Sequence, residues 1–319
     1  MTHHSVALPG KTKSGATSFN PYKFIGALMV FFGAITHSSK AIFIKLAYQY
    51  SIDSVSLVAL RMLFALPFFL IIGYISGRRQ KAPRLTTKEI LAVGAMGLVS
   101  YYVAALFDFM GLQYITASLE RLILFVYPTI VVLISATIYR KKITQAQFIA
   151  LGFTYVGIIV VFAGNLDMTK QKNFVLGAFL VFCCAVFYAI YMIGSEKLIP
   201  KVGAIRFTCY AMTFAALGIL THYLINNSTS LLDYPPEVYS LSIGMAIVAT
   251  VIPAFLISAG IKRIGASDAS IVASVGPIAT IVMAYIFLNE TLSVAQLIGT
   301  GLVLGGVLLI SLRKQKRQE

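Results

Sequence analysis

Charged residues inside long apolar runs are the side chains of this sequence best suited to chemistry. We single out five of them in the first half of the chain: Lys40, Arg61, Asp108, Glu120 and Arg121. An ionised group withdrawn from water costs several kcal/mol unless it is paired or hydrated. Such groups therefore mark candidate sites for binding a polar ligand, for gating or for moving a proton. With three cations against two carboxylates, the set slightly favours an anionic or zwitterionic ligand over a cationic one.

Two structural interpretations compete with a ligand site. The five residues could form a permanent ion-pair network that holds their helices together, or their side chains could extend along the helices to reach the membrane interface. Glu120 and Arg121 are adjacent, so on a helix they point about 100° apart and cannot both face the same partner directly. The sequence leaves a substrate site, a gate and a structural network open.

His37 extends this set of candidates. It lies in the segment GAITHSSKAIF, where Thr36, Ser38 and Ser39 make a polar patch. His37 and Lys40 are three residues apart and therefore share a helix face, and an imidazole that titrates near neutral pH suits a proton relay. The alternative is a histidine that only hydrogen-bonds a helix carbonyl group.

Two further residues complete the predicted site. Tyr127 could line a cavity with other tyrosines, although a chain with 17 tyrosines also uses them for packing and at membrane interfaces. Asp268 could be the partner of Lys262 or Arg263 in a gate. It could equally be an ordinary acid at a helix N-terminus, where the helix dipole favours negative charge.

The elements that must hold these residues are long apolar helices. Of the 319 residues, 58% are hydrophobic and 12% are charged, with a mean hydropathy of +0.85, whereas soluble domains are about 45–50% apolar and about 25% charged. A soluble enzyme is thereby excluded. Ten continuous apolar runs have roughly the twenty-residue length of a transmembrane helix: 24–47, 55–76, 89–111, 116–138, 145–164, 174–195, 205–225, 238–260, 266–288 and 294–312. We predict an all-α integral membrane protein with ten transmembrane helices.

The positions of the positively charged residues explain the net charge of +15 and predict the topology. Of the 26 Lys and Arg residues, 20 fall in the tails and loops of one side, two in the loops of the opposite side, and four within spans. Cationic loops stay on the cytoplasmic side of a membrane, so both termini are predicted to be cytoplasmic. The partner that the charge implies is the lipid bilayer, and a nucleic-acid partner is not expected.

An internal repeat divides the chain into two halves. Residues 111–160 align without gaps with residues 260–309. Five spans per half is an odd number, so the halves must lie in opposite orientations, as in many secondary transporters. Pro128 and Pro277 occupy equivalent positions in spans 4 and 9, where each is a candidate hinge or a static kink. The predicted domains are a cytoplasmic tail, two repeats and a basic cytoplasmic tail: 1–23, 24–165, 166–312 and 313–319.

Two segments of these repeats carry a family resemblance. They are ITASLERLILFVYPT in span 4 and GASDASIVASVGPIATIVMAYIFLNETLSVAQLIGTGLVLGG in spans 9 and 10. Both resemble the EamA-type repeats of the drug/metabolite transporter superfamily. The second half has the family's Glu as Glu290, whereas the first half has Lys141 at the matching place. The resemblance implies a carrier that moves small metabolites across a bacterial inner membrane by alternating access, and it implies no particular substrate.

No enzyme activity, cofactor or metal site is predicted. The sequence has no nucleotide-binding, metal-binding or nucleophile motif, and its three cysteines lie in apolar stretches. We therefore predict a secondary-active transporter of a small polar metabolite (amino-acid-like, an organic anion or drug-like), coupled to protons or to exchange. A membrane sensor that binds without transport and a flippase are the alternatives. Glycines in spans 5 and 10 favour close helix packing, with a homodimer face as the lesser alternative.

Overall fold

Every element that the structure describes is helical. The computed structural model describes residues 21–79, 85–138, 148–149, 152–153, 155–157, 159–160, 173–226, 230–273, 275–290, 293–295, 297–302 and 305. Its main helices are α1 (Pro21–Ser38), α2 (Lys40–Ala47), α3 (Ser54–Arg79), α4 (Thr87–Gly97), α5 (Ala105–Leu112), α6 (Ala117–Leu124), α7 (Tyr127–Ile138), α8 (Phe174–Val202), α9 (Ala204–Asn226), α10 (Pro236–Ala246), α11 (Ile252–Ala273) and α12 (Val275–Leu288). A 3₁₀ segment (Tyr48–Tyr50) follows α2, and π-helical segments follow α4 (Leu98–Ala104) and α10 (Ile247–Val251).

Six helical stretches are long and apolar enough to cross a membrane. They are Pro21–Tyr50, Ser54–Gly77, Thr87–Leu112, Phe174–Val202, Ala204–Asn226 and Pro236–Gly260. These stretches coincide with the predicted spans 1, 2, 3, 6, 7 and 8. The prediction of an all-α integral membrane fold is confirmed.

The other four predicted spans are described only in part. Span 4 is divided between α6 and α7, and span 9 between the end of α11 and α12. Spans 5 and 10 are described as short helical pieces between residues 148 and 160 and between residues 294 and 305. The predicted boundary between the repeats, most of the N-terminal tail and the basic C-terminal tail lie outside the described residues. The full count of ten spans therefore stays a prediction.

The core joins helices that are far apart in the chain. α1 packs along α11, α3 along α9, and α5 against α8. The largest apolar cluster includes Leu57, Phe69, Phe109, Met212 and Ile219, all of them buried. Because α1 and α11 belong to different halves, as do α3 and α9, the two halves share one core.

The repeat is visible in the backbone as well as in the sequence. The π-helical segments begin at Leu98 and Ile247, which are separated by the same 149 positions that relate residues 111–160 to residues 260–309. A π-helical turn inside an α-helix is rare and frequently lies at a functional site. Its recurrence at equivalent positions of spans 3 and 8 indicates that the two halves share one backbone fold.

Two equivalent glycines let helices of this fold approach closely. A Cβ atom at Gly111 in α5 would lie 2.6 Å from Cγ2 of Val181 and 3.1 Å from the carbonyl oxygen of Gly177 in α8. The counterpart of Gly111 is Gly260 in α11, where a Cβ atom would collide with Val30 of α1. Small residues at such crossings are the means by which membrane helices pack tightly.

Replacing Gly111 by Ala should destabilise the protein, because the added methyl group has no room against α8. Overpacking of this kind costs about 1–3 kcal/mol. Gly77→Ala is the matched control, since a Cβ atom at Gly77 would meet nothing within 4 Å. In thermal unfolding of the purified chain in detergent, the midpoint should fall for G111A and stay near that of the wild type for G77A. Equal midpoints would show that α5 and α8 can separate at no cost.

Candidate functional site

Lys40 and Asp108 form a buried ion pair between two helices. The Nζ atom of Lys40 lies 2.5 Å from Oδ2 of Asp108, and the two side chains are 9% and 0% exposed. Lys40 is the first residue of α2, and Asp108 lies in α5. The pair ties span 1 to span 3 and gives each buried charge the partner that it requires.

A one-residue interruption of the first span positions Lys40. α1 ends at Ser38 and α2 begins at Lys40, with Ser39 in a turn between them. The carbonyl oxygen of Ser38 accepts a hydrogen bond from the Thr280 hydroxyl at 3.3 Å, and the Ser38 hydroxyl donates to the carbonyl oxygen of Gly276 at 3.0 Å. Both partners belong to α12, so the second half of the chain supports the interruption in the first.

Glu120 and Arg121 lie side by side on α6, and both are buried. Nε of Arg121 is 3.7 Å from Oε2 of Glu120, which is close enough for an ion pair but too far for a hydrogen bond. Within the described part of the chain, no N–H or hydroxyl donor hydrogen-bonds the oxygens of Glu120, whose carboxyl group lies within hydrogen-bonding reach of Asp108. The Nε and Nη2 atoms of Arg121 have no hydrogen-bond partner there. Glu120 interacts electrostatically with Asp108 and Lys40. The two charged side chains of α6 therefore lie beside the Lys40–Asp108 ion pair.

Arg61, in α3, extends toward the same group of charged side chains. Its guanidinium carbon lies 4.8 Å from the centre of the Phe109 ring, a distance typical of a cation–π contact, and it interacts electrostatically with Asp108. The structure therefore brings together all five charged residues that the sequence singled out. We call them the charged cluster: Lys40, Arg61, Asp108, Glu120 and Arg121.

His37 lies beside the charged cluster, in the last turn of α1. Its imidazole is next to the backbone of Ala249, in the π-helical segment of the second half, and within electrostatic range of Lys40, Arg61 and Arg121. Adding a proton to the ring would place a fourth positive charge beside these three. The surroundings fit a histidine that contacts the backbone better than they fit a proton relay.

Glu290 holds the N-terminus of α6, a contact that no pattern in the sequence predicts. Its carboxylate accepts hydrogen bonds from the backbone N–H groups of Ala117 at 2.8 Å and Ser118 at 3.2 Å, and from the Ser118 hydroxyl at 2.8 Å. Negative charge is favourable at a helix N-terminus. Because Glu290 follows α12, this contact joins the second half to α6 one turn before Glu120.

We call the end of the helix bundle at which Asp53 and Glu290 lie the acidic end. Further hydrogen bonds join the connections between helices at this end. The Tyr234 hydroxyl donates to Oδ2 of Asp53 at 3.2 Å. The Lys45 ammonium donates at 3.1 Å to two carbonyl groups at and just after the end of α5. The acidic end is therefore closed by contacts that link both halves.

Four tyrosines, which we call the tyrosine cluster, adjoin the charged cluster. The rings of Tyr127 and Tyr188 meet edge to face at 4.9 Å, and Tyr188 stacks on Tyr191 at 5.9 Å. The hydroxyl oxygens of Tyr101 and Tyr191 are 3.1 Å apart. Cations of the charged cluster interact electrostatically with Tyr101 and Tyr127. Tyr127 thus lies where a site residue was expected, and Tyr101 is a member that the sequence did not single out.

The remaining predicted site residues are placed only in part. α11 continues through Asp268 as far as Ala273, so the interpretation of Asp268 as an acid at a helix N-terminus is wrong; its side chain lies outside the described residues. Pro277 is buried in the first turn of α12. Pro128 is the second residue of α7, and its side chain is also outside the described part. The hinge role of the two prolines stays a prediction.

A comparison with protein families finds the same family in both halves of the chain. The model of the EamA-like transporter family matches residues 24–163 and 175–312. The chain belongs to the EamA-like transporter family. The charged cluster lies in the first EamA match and Glu290 in the second, so the contact between Glu290 and α6 is a contact between EamA repeats.

Relatives from other organisms extend over most of the chain. "Uncharacterized transporter YcbK" of Bacillus subtilis (strain 168) is 33% identical over 297 residues, which are 91% of this chain and 94% of that protein. "Uncharacterized transporter YyaM" of the same organism is 25% identical over 251 residues, which are 78% and 81% of the two chains. A crystal structure of a protein that is 17% identical matches with a TM-score of 0.62 over 92% of this chain and 99% of that chain, which shows a shared fold.

Replacing Asp108 by Asn should strongly destabilise this EamA protein, because Lys40 would stay buried without its counter-charge. Removing one partner of a buried ion pair costs about 3–5 kcal/mol. Lys40→Met combined with Asp108→Leu should recover most of that loss, since an apolar pair needs no compensation.

Thermal unfolding in detergent measures both variants. Glu237→Gln is the control, because Glu237 is an exposed acid at the start of α10 and its replacement should change stability by less than about 0.5 kcal/mol. An unchanged midpoint for D108N would contradict a structural role for the pair.

Proposed function

We propose that this protein is a secondary-active transporter that carries a small polar metabolite across the bacterial inner membrane by alternating access. The observation that supports the proposal is the charged cluster, in which buried polar atoms lack partners within the described residues. Buried polar groups are normally hydrogen-bonded in folded proteins. Unpartnered groups between interrupted helices of two inverted repeats are what a transporter site requires.

The contact between Glu290 and α6 supplies a gate for this site. While Glu290 accepts hydrogen bonds from Ala117 and Ser118, the connection after α12 holds the start of α6 in place. The distribution of Lys and Arg predicts that the acidic end faces the outside of the cell and that both termini are cytoplasmic. A substrate that enters the charged cluster from outside the cell then requires the contact between Glu290 and α6 to break. A substrate that enters from the cytoplasm leaves this contact intact.

A proton gradient or exchange would drive the transport. Glu120 is the carboxylate that best suits proton transfer, because no N–H or hydroxyl donor hydrogen-bonds its oxygens within the described residues and a proton on Glu120 could be shared with Asp108 beside it. A proton on Glu120 would remove the negative charge beside Arg121 and leave that guanidinium free to bind a substrate group. Proton binding at Glu120 and substrate binding at Arg121 would thereby be linked through adjacent residues of α6.

Transport by the purified full chain should be measurable in proteoliposomes. Vesicles loaded with members of a metabolite library should take up the labelled form of at least one compound faster than protein-free vesicles do, and uptake should respond to an imposed pH gradient. Glu120→Gln should abolish that response between about pH 5 and pH 8 while exchange continues, because Gln cannot carry a proton. G77A, which alters an open position, is the control.

Each alternative has its own outcome in the same assay. A compound that stabilises the protein but never crosses the membrane would replace the transporter by a membrane sensor. Movement of a lipid-linked compound alone would indicate a flippase. A pH response that survives in E120Q would exclude Glu120 as the proton carrier.

Weakening the Glu290 contact should favour the state that is open at the acidic end. Glu290→Gln removes a charge that stabilises the N-terminus of α6 by about 0.3–1 kcal/mol, which corresponds to roughly a two- to fivefold larger open population. Cys184 reports opening, because it is buried and interacts electrostatically with the charged cluster.

The measurement is the rate at which a membrane-impermeant maleimide labels Cys184 from the acidic end, with Cys183 and Cys209 replaced by Ser. The rate should rise in E290Q. It should not change in Glu237→Gln, which removes an acid that lies in the first turn of α10. Equal rates in E290Q and the wild type would contradict the gate.

A further inference from the structure

Arg61 is a buried cation whose charge the fold leaves uncompensated. Lys40 has Asp108 at 2.5 Å and Arg121 has Glu120 at 3.7 Å, but within the described residues Arg61 forms no ion pair. Its guanidinium rests on the Phe109 ring instead, and its side chain is only 4% exposed. An aromatic ring gives a cation far less compensation than a carboxylate does.

The charged cluster as a whole has the same surplus. Three cations and two carboxylates lie together, and all five residues are buried. An unpaired charge in such surroundings is strongly unfavourable. While both carboxylates are ionised, one bound anion would balance the cluster, whereas a bound cation would leave two charges unbalanced.

The unpartnered atoms of Arg61 have the geometry of an anion site. They are Nε and Nη2, whose hydrogens lie along one edge of the planar guanidinium and point in the same direction. Two parallel N–H groups of this kind match the two oxygens of a carboxylate. Arg121 also lacks hydrogen bonds at these two atoms, but its Nε lies 3.7 Å from Oε2 of Glu120. The edge of Arg61 is therefore the one that forms no ion pair within the described residues.

The tyrosine cluster defines what adjoins that anionic group. Tyr101 interacts electrostatically with Arg61 and shares a hydrogen bond with Tyr191, which in turn stacks on Tyr188. Ring faces next to a cation favour a flat apolar body attached to the anion, because contacts between aromatic rings add attraction beyond the effect of the area that they bury.

We propose that Arg61 binds the anionic group of the substrate through its Nε–Nη2 edge, and that the substrate is an organic monoanion with a planar apolar body lying against the tyrosine cluster. This assignment rests on the proposed transport function and specifies the chemical class of the substrate. A dianion would reverse the sign of the surplus charge and is bound less well.

Equilibrium binding of labelled benzoate to the purified full chain tests the assignment. Benzamide, benzylamine and phenyl phosphate keep the ring but are neutral, cationic and dianionic, and acetate keeps the anion without the ring. Unlabelled benzoate should displace the label at concentrations at least roughly tenfold lower than any of these four compounds. Absence of benzoate binding, or equal displacement by benzylamine, would overturn the assignment.

Variants of Arg61 separate its charge from its shape. Arg61→Gln should weaken benzoate binding by at least roughly thirtyfold, and Arg61→Lys should lie between Gln and the wild type because it keeps the charge and loses the planar edge. Lys201→Gln is the control, since Lys201 is exposed in the last turn of α8 and lies outside the charged cluster. Wild-type affinity in R61Q would overturn the assignment, and if R61Q fails to fold, R61K and the competition series still decide it.

Failure of transport and failure of this assignment are distinguishable. If benzoate binds selectively but no compound crosses a proteoliposome membrane, the anion site stands and the transporter does not. If neutral or cationic compounds cross the membrane and benzoate does not bind, the transporter stands and the anion site is overturned.

Discussion

The cost of holding charge away from water is the constraint on which the rest of the structure depends. Lys40 and Asp108 satisfy it by pairing across two helices, and Lys40 begins a new helix directly after the interruption of span 1 at Ser39. On the other side of this interruption, Ser38 hydrogen-bonds Thr280 and Gly276 of α12. The helix interruption beside the ion pair of the first half is therefore contacted by the second half. This contact favours a chain in which both EamA repeats act together.

The two halves share backbone features but differ in their buried charged side chains. The π-helical segments and the glycine contacts recur at equivalent positions, so the repeat extends to backbone irregularities. The residues equivalent to Asp108, Glu120 and Arg121 are Ile257, Ala269 and Ser270, and these three carry no charge. In the proposed transport cycle, backbone symmetry would provide two related conformations, whereas the charges of one half would determine which groups a ligand contacts.

Much of the fold and most of the cluster could be predicted because their signals are local. Apolar runs give span positions directly, and a charge inside such a run is conspicuous in one sequence. The contact of Glu290 with Ala117 joins residues 173 positions apart, and nothing near either residue specifies the other. Tyr101 was missed for a related reason: in a chain with 17 tyrosines, only the meeting of α8 with span 3 distinguishes it. Asp268 was misplaced because periodicity cannot show that α11 continues past residue 268.

α6 connects the proposed gate to the proposed anion site. It has eight residues, with Glu290 bound at its first two and Glu120 and Arg121 at its fourth and fifth. A turn at Phe125 and Val126 separates α6 from α7. In the proposed mechanism, release of Glu290 frees the first turn of α6, and a tilt of α6 moves Glu120 and Arg121 relative to Lys40 and Arg61. A ligand that binds the two arginines better in one tilt shifts the gate toward that state, because a ligand moves an equilibrium only through its differential affinity for the two states.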